Sequence, residues 1–178
     1  MADLTFNTTP GQTIDRNLLA LYLNTGTAAA PEWHRIGKRV EDSSMEMDWG
    51  QETKTDIFGD VWTTQKTPVK TQTFDPCELD AGDPAQVMLW NLAIKDEDAA
   101  ALCALDMLVA HLYVDVGASG AKFAVRNSAC AISPTSLGGA GGGFLGMPLD
   151  VTFGGQRTVG SVVSADGEIT FTPEGSGD

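Results

Sequence analysis

Apolar and polar residues alternate along much of the chain, and this alternation predicts a protein built mainly from β-strands. Residues 45–49 read Met-Glu-Met-Asp-Trp, so three apolar side chains fall on one face of a strand and two acids on the other. A period of two is typical of a strand with one buried face. A turn at Asp166-Gly167 predicts a hairpin near the end of the chain. The other predicted strands are residues 18–23, 66–74, 105–115, 122–132, 146–153, 158–165 and 168–172.

One helix is signalled between these strands. Asp83 suits the N-cap, because its carboxylate can accept hydrogen bonds from free amide groups, and Pro84 suits the first helical position. We expect the helix to cover residues 83–95. Strands that precede and follow a single helix along the sequence predict a mainly β (α+β) fold. The expected architecture is an antiparallel two-sheet β-sandwich or barrel with a flanking helix. The apolar stripe expected to face the core is Val87, Trp90, Asn91 and Ile94, widened by Met88, Leu89 and Leu92.

The length of 178 residues suits one domain with short arms. We expect residues 1–17 to form a polar N-terminal arm, residues 18–172 to form the β domain, and residues 173–178 to form a flexible tail. The first residues lack the basic start and apolar run of a secretory signal. No apolar stretch approaches the roughly 20 residues of a membrane-spanning helix, so we expect no membrane segment.

The chain is acidic, with 24 Asp and Glu residues against 11 Lys and Arg residues and a formal net charge of -13. Proteins that bind DNA gain affinity by neutralising phosphates with Lys and Arg, so this balance argues against a nucleic-acid clamp. The three cysteines are an odd number at wide spacings. That pattern indicates reduced thiols in a cytoplasmic setting and argues against a disulfide framework or a zinc site.

The residue types of enzyme sites are sparse. His34, in a predicted loop beside Trp33, and His111, in an apolar strand, are the only histidines, and no nucleophile elbow is present. The glycines of residues 141–146 match G-x-G-x-x-G, but a strand pattern follows where a phosphate loop needs a helix. The acids of residues 75–83 lack the alternate spacing of a calcium loop. The sequence therefore predicts no catalytic residue, no cofactor and no metal site.

The segment 51–65, which joins two predicted strands as an extended hairpin or large loop, has a pattern of its own. Its ends are polar, whereas its middle, around Gly59-Asp60, holds Ile57, Phe58, Val61 and Trp62. Large apolar groups near a loop tip need to be covered. Two explanations are open: the segment folds back onto its own core, or its middle binds a partner protein, where Trp and Phe commonly dominate the binding energy.

Residues 32–62 resemble the first part of the major tail tube proteins of long-tailed, siphovirus-type phages. Those proteins read W-x-x-I-G-x-x-V-E-D-x-S, then acids, and then E-T-K-T-D-I-x-G. The matching residues are Trp33, Ile36, Gly37, Val40, Glu41, Asp42 and Ser44, and then Glu52, Thr53, Lys54, Thr55, Asp56, Ile57 and Gly59. The similarity continues with Q-T-F-D-P-C-E at residues 72–78 and V-T-F-G-G-Q-R-T-V-G-S-V at residues 151–162, and it covers about residues 32–172.

The resemblance implies a structural virion protein that is not an enzyme and has a two-sheet β fold with a flanking helix. Proteins of that family form hexameric rings, which stack into a hollow tail tube around a tape-measure protein. Tail tip or baseplate proteins and a tail terminator protein are the further partners. DNA later passes through the bore without specific binding. Such proteins assemble in the host cytoplasm into the virion, with no membrane and no cofactor involved.

The resemblance also implies which residues make contacts. In that family the long loop between early strands reaches a neighbouring subunit, and terminal arms help to bridge rings. If one strand face lines the bore, Glu46 and Asp48 are the candidate lumen-facing acids, because carboxylates would keep DNA from adhering to the wall. Solvent is an equally good explanation of their exposure. The residues that match the contact loop are Lys54, Asp56, Ile57, Phe58, Val61 and Trp62.

Two alternatives from other classes remain open. A monomeric or small-oligomer β-sandwich binding module, of the capsid-decoration or carbohydrate-binding type, would need an aromatic-lined cleft. An enzyme on a β-barrel, using His111 with nearby acids, would need a concave pocket where titratable groups converge. Neither alternative has a motif as long as residues 32–62.

Overall fold

The strands and the helix follow the predicted order. The structure, a computed structural model, describes residues 4–117, 120–165 and 167–175. Its helices are a 3-10 turn at Arg16–Leu18, α1 (Pro84–Trp90), which continues as a π-helical turn over Asn91–Lys95, and α2 (Ala99–Leu102). Every strand pair described is antiparallel, so the fold is mainly β with a flanking helix, as predicted. The strands are β1 (Leu19–Asn24), β2 (Trp33–Arg35), β3 (Met45–Asp48), β4 (Glu52–Thr55), β5 (Val61–Thr64), β6 (Val69–Phe74), β7 (Leu105–Asp115), β8 (Lys122–Pro134), β9 (Leu149–Phe153), β10 (Arg157–Ala165) and β11 (Glu168–Pro173).

Strand β8 belongs to two sheets. One side of it pairs with β7, while the other side pairs with β10 through residues 122–127 and with β9 through residues 131–134. The first sheet therefore has the order β2-β1-β7-β8-β10-β11, and the second has the order β8-β9-β6-β3. The change of partner falls at Ala129, whose φ of 56° marks a bulge. Gly155 packs so closely here that a Cβ atom would lie 1.5 Å from the carbonyl oxygen of Ser128.

The main core fills the space between the two sheets, and α1 closes one end of it. The predicted N-cap is confirmed: the Asp83 carboxylate accepts hydrogen bonds from the amide groups of Ala85 and Gln86. With the helix beginning at Pro84, the Leu89 side chain lies in the core, where it is fully buried. The buried side chains of this core are Leu21, Leu23, Ile36, Phe74, Cys77, Ala85, Leu89, Leu105, Met107, Val109, Cys130, Ile132, Met147, Leu149 and Val151.

A second, smaller core lies on the other face of the first sheet, which curls until β11 comes close to β2. The smallest side chains stand side by side at this curl: Ala20 pairs with Ala110, Ala110 with Ala124, and Ala124 with Gly160. A Cβ atom on Gly160 would lie 2.8 Å from the ring of Phe171, so β11 packs directly onto this row. The other buried members of this core are Tyr22, Trp33, Leu108 and Val162.

Residues 33–35 form a short edge strand, so the loop expected around Trp33 and His34 is wrong. β2 pairs with β1, and Trp33 is buried in the second core with the Arg126 guanidinium 5.7 Å from its ring centroid. Asn24, at the end of β1, organises the intervening loop, because its side-chain oxygen accepts two backbone hydrogen bonds of 2.9 Å. A strand of three residues carries too little alternation to be predicted from sequence.

The N-terminal arm is docked on the domain where β1 no longer covers β7. Phe6 forms an isolated β-bridge with Val114, and the amide of Asn7 donates a 2.9 Å hydrogen bond to the carbonyl of Tyr113. The rings of Phe6 and Tyr113 meet edge-on with centroids 5.3 Å apart. Of the predicted arm and tail, residues 1–3 and 176–178 lie outside the described residues, as does Asp166 of the predicted last turn.

The predicted buried stripe of α1 is only partly correct. Its central residues Val87, Trp90 and Ile94 are substantially exposed. Of the residues expected to widen it, Leu89 is fully buried, and Met88 and Leu92 pack against the main core. The helix is apolar around most of its circumference, so its period alone does not select the side that packs. None of the helices in the described part of the chain has the length and hydropathy of a membrane span.

The predicted buried face of β3 is only partly correct. Met45 packs against the main core, whereas Met47 and Trp49 are about half exposed. The reason is that Met47 and Trp49 line an open cleft between the two sheets. The alternation thus predicts which side chains share a face of the strand, but not how far along that face they are buried.

Candidate assembly interface

Strands β4 and β5 form a hairpin that stands apart from both sheets. Thr53 pairs with Thr63 across it, and their hydroxyl oxygens are 3.2 Å apart. Asp56 shapes the turn, because its Oδ1 accepts 2.9 Å hydrogen bonds from the amides of Phe58 and Asp60. The long segment after β3 is therefore an ordered hairpin with a fixed turn.

The end of this hairpin is apolar and uncovered. Its four large side chains, here called the apolar tip, have exposed fractions of 94% for Ile57, 84% for Phe58, 64% for Val61 and 46% for Trp62. None of them belongs to either core. Of the two explanations that the sequence leaves open, folding back onto the core is not what the structure shows. The apolar tip is a free surface of the described chain.

The charges of the hairpin are divided between its base and its tip. At the base, the Glu52 carboxylate lies 3.5 Å from the Nζ atoms of both Lys54 and Lys66. Such exposed pairs contribute about 0–1 kcal/mol each, so they do little for the stability of the hairpin. At the tip, neither Asp56 nor Asp60 makes an ion pair within the described residues. The tip therefore combines apolar side chains with negative charge.

The outer face of the second sheet is acidic, and it holds both candidate lumen acids. Glu46 and Asp48 are exposed there on β3. Asp150 of β9 lies on the same face, where its carboxylate accepts a 2.7 Å hydrogen bond from the hydroxyl of Thr73. Lys70 of β6 points to the opposite face. The sequence does not predict that Asp150 shares a face with Glu46 and Asp48, because the register of the strands decides which acids become neighbours.

A cleft of about 410 Å³ opens on the inner side, where the two sheets diverge. Met47, Lys70 and Phe153 form one row across β3, β6 and β9, since Met47 pairs with Lys70 and Lys70 with Phe153. Trp49 extends this wall beyond the end of β3, and Arg157 contributes from the first sheet. We call these five residues the inter-sheet cleft.

The inter-sheet cleft concentrates positive charge in an acidic protein. Burial, and then the positive charge of Arg157, lowers the pKa of Lys70. Neither Lys70 nor Arg157 makes an ion pair or a side-chain hydrogen bond with any residue in the described ranges. Two cations without partners therefore stand beside the apolar wall of the cleft.

His111 is placed for packing rather than for acid–base chemistry. Its Nδ1 lies 2.8 Å from the hydroxyl of Tyr113, and its ring centroid lies 5.4 Å from that of Phe123. Burial, and then the charges of Lys70 and Arg157, lowers its pKa; no carboxylate is among these causes. The part of the chain that is described also holds no group of His, Cys, Asp and Glu suited to a metal ion. No hydrogen bond or ion pair joins His111 to a carboxylate within the described residues.

A further cavity of about 550 Å³ lies beside β1 and β2. Its bases already have partners, because Arg16 and Arg35 donate hydrogen bonds to backbone carbonyl groups and Lys38 pairs with Asp80. We therefore assign no ligand to it. Its apolar lining consists of Leu19, Leu21, Ile36, Val40 and Phe74.

Comparisons with known proteins find remote structural likeness and no family. No family model matches the chain, and no curated protein matches it. A chain of the PVC sheath-tube complex, an extracellular contractile injection system in the extended state, is 9% identical with a TM-score of 0.48, over 86% of this chain and 95% of that one. A chain of the anti-feeding prophage cap, the AFP tube terminating cap, is 12% identical with a TM-score of 0.44, over 90% and 99%. Values this low carry no argument about function.

Proposed function

We propose that the protein is a structural, non-enzymatic component of a phage tail, which assembles into hexameric rings that stack into the tail tube. The observation that carries the proposal is the apolar tip, four large side chains held clear of both cores on an ordered hairpin. Soluble monomers rarely expose large apolar groups together, and such patches mark interaction sites. The resemblance of residues 32–62 to tail tube proteins supports the proposal, because it implies that this hairpin reaches a neighbouring subunit.

The hairpin is suited to act as a contact element. Its turn is fixed by Asp56 before any partner arrives, so less conformational entropy is lost on binding. Phe58 and Trp62 are aromatic residues of the kind that dominate interface energies. Lys54 and Asp56 flank them with charges of opposite sign, which would favour one orientation of the neighbouring subunit.

In the proposed tube, the acidic outer face of the second sheet lines the bore. Glu46, Asp48 and Asp150 supply carboxylates on that face. They would repel phosphate groups, so DNA would pass without binding to the wall. The tape-measure protein would occupy the bore during assembly, and tail tip or baseplate and terminator proteins would bind the two ends. The protein would then be part of the virion after assembly in the host cytoplasm.

The variant Trp62→Asp tests the proposal. Because Trp62 lies outside both cores, the circular dichroism of the variant should match that of the wild type. Its assembly should fail: loss of an aromatic anchor worth about 2 kcal/mol raises the critical concentration about 30-fold. Gln65→Asp, which adds the same charge at an exposed position beside β5, should assemble normally. Sedimentation velocity and negative-stain microscopy read out both variants.

Unfolding of Trp62→Asp would show that this side chain supports the fold, and its assignment to an interface would be wrong. A wild-type protein that stays monomeric at every salt and protein concentration, and with added tail-tip proteins, would contradict the proposal as a whole. That result would favour the monomeric β-sandwich binding module, with the aromatic side chain of Trp49 in the inter-sheet cleft as its first candidate contact.

A further inference from the structure

The inter-sheet cleft has the chemical character of a binding site for a protein segment. Its wall is apolar, with Met47 and Trp49 about half exposed and Phe153 partly buried. Two cations, Lys70 and Arg157, lie beside that wall. Lys70 is partly buried and Arg157 is exposed. A partly buried cation without a partner is costly, and a carboxylate brought within reach of Lys70 offsets that cost. The cleft therefore fits an occupant that combines large apolar side chains with negative charge.

One exposed element of this chain has that combination. The apolar tip presents Ile57 and Phe58 between the acids Asp56 and Asp60. The Oδ1 atom of Asp56 is used by the turn, and the side chain of Asp60 is exposed without an ion pair in the described chain. We infer that the inter-sheet cleft binds the apolar tip of a second copy of this chain, an inference that rests on the proposed self-assembly and names the surface that receives the hairpin.

The tip of the same chain cannot reach this cleft. Trp49, which lines the cleft, comes just before the hairpin, and its carbonyl accepts a 2.9 Å hydrogen bond from the amide of Lys66 at the hairpin base. From Gly50 to Asp56 the extended chain leads away by about 20 Å, at about 3.4 Å per residue. Bringing the tip back would require β4 and β5 to separate. The occupant must therefore come from another copy.

This arrangement makes the contact head-to-tail. Each subunit gives a tip to one neighbour and receives a tip from another, so the two surfaces of the contact are different. Such heterologous contacts close into rings or continue as open stacks, and both outcomes belong to the proposed tube. The proposal also explains how a chain with a net charge of -13 can associate, because each contact pairs the acids of one copy with the bases of the next.

Two charge-exchanged variants test the pairing in the full-length protein. The tip variant is Asp56→Asn with Asp60→Lys, where Asn keeps the oxygen that shapes the turn. The cleft variant is Lys70→Gln with Arg157→Glu. Each variant alone should show a critical concentration at least about tenfold higher than the wild type, which corresponds to about 1.4 kcal/mol. An equimolar mixture should recover assembly. The basic tip of the tip variant then meets the acidic cleft of the cleft variant, and the wild-type tip of the cleft variant meets the wild-type cleft of the tip variant.

The control is Lys95→Glu, which adds negative charge at an exposed site on the π-helical turn and should assemble as the wild type does. Circular dichroism checks each fold, and Arg157→Glu alone replaces the cleft variant if that variant is unfolded. Normal assembly of both charge variants would overturn the pairing and leave the tail-tube proposal standing. A mixture that fails to assemble would also overturn it. A wild-type protein that never assembles would overturn both the pairing and the tail-tube proposal.

Discussion

At the scale of single residues, the curl of the first sheet depends on four small neighbours. Ala20, Ala110, Ala124 and Gly160 stand in one row across four strands, and Phe171 closes over the end of that row. A larger side chain anywhere in the row would push the strands away from the elements that cover them. Protein interiors are packed too tightly to absorb such a change without strain.

The variant Ala124→Leu should therefore destabilise the protein. Ala124 is fully buried, so the added atoms have no space, and overpacking of this kind costs about 1–3 kcal/mol. Ala140→Leu, in the exposed glycine-rich loop, adds the same atoms without a steric cost and serves as the control. Urea unfolding followed by circular dichroism measures both variants. An unchanged unfolding midpoint for Ala124→Leu would show that the curl does not depend on this row.

The residues that begin the tail-tube-like motif, from Trp33 to Gly37, have packing roles. Trp33 and Ile36 are buried, each in a different core. Gly37 has a φ of 89°, and a Cβ atom there would lie 3.1 Å from the ring of Phe74. These positions fix how the chain leaves β2 and covers the main core. These residues contain no reactive group. The pattern they form therefore carries information about the fold and not about catalysis.

At the scale of elements, features set by neighbouring residues could be predicted from the sequence, whereas the packing of one element against another could not. The N-cap at Asp83 and the alternation of β3 can be read from neighbouring residues, and both are present in the structure. The buried side of α1 depends on which apolar face meets the sheets, and the period does not contain that information. Lys70 and Arg157 are distant in sequence and meet only through the register of four strands, so the inter-sheet cleft could not be predicted.

A pair of truncations on α1 tests which side of the helix packs. Leu89→Ala removes a fully buried side chain from the main core and should cost about 2–5 kcal/mol. Val87→Ala lies on the exposed side of the same helix and should change the free energy of unfolding by about 0.5 kcal/mol or less. Chemical denaturation of the two variants under one condition gives the comparison. Equal losses would show that the Val87 side of α1 is packed as tightly as the Leu89 side.

At the scale of the whole molecule, surfaces of different character lie on different parts of one subunit. The hairpin carries the apolar tip, the inner side of the sandwich opens into the inter-sheet cleft, and the outer face of the second sheet carries Glu46, Asp48 and Asp150. A protein that acted alone would gain nothing from leaving the first two uncovered. In the proposed tube, a subunit would use the apolar tip to bind one neighbour, the inter-sheet cleft to bind another and the acidic face to line the bore.

A cryo-EM reconstruction of the assembled wild-type protein would show what covers the apolar tip. We predict a hollow tube of stacked hexameric rings in which Ile57 and Phe58 are buried against the Lys70 and Arg157 side chains of a neighbouring copy, with Glu46 and Asp48 facing the bore. A reconstruction in which the tip of every subunit remains in solvent would contradict the proposed contact.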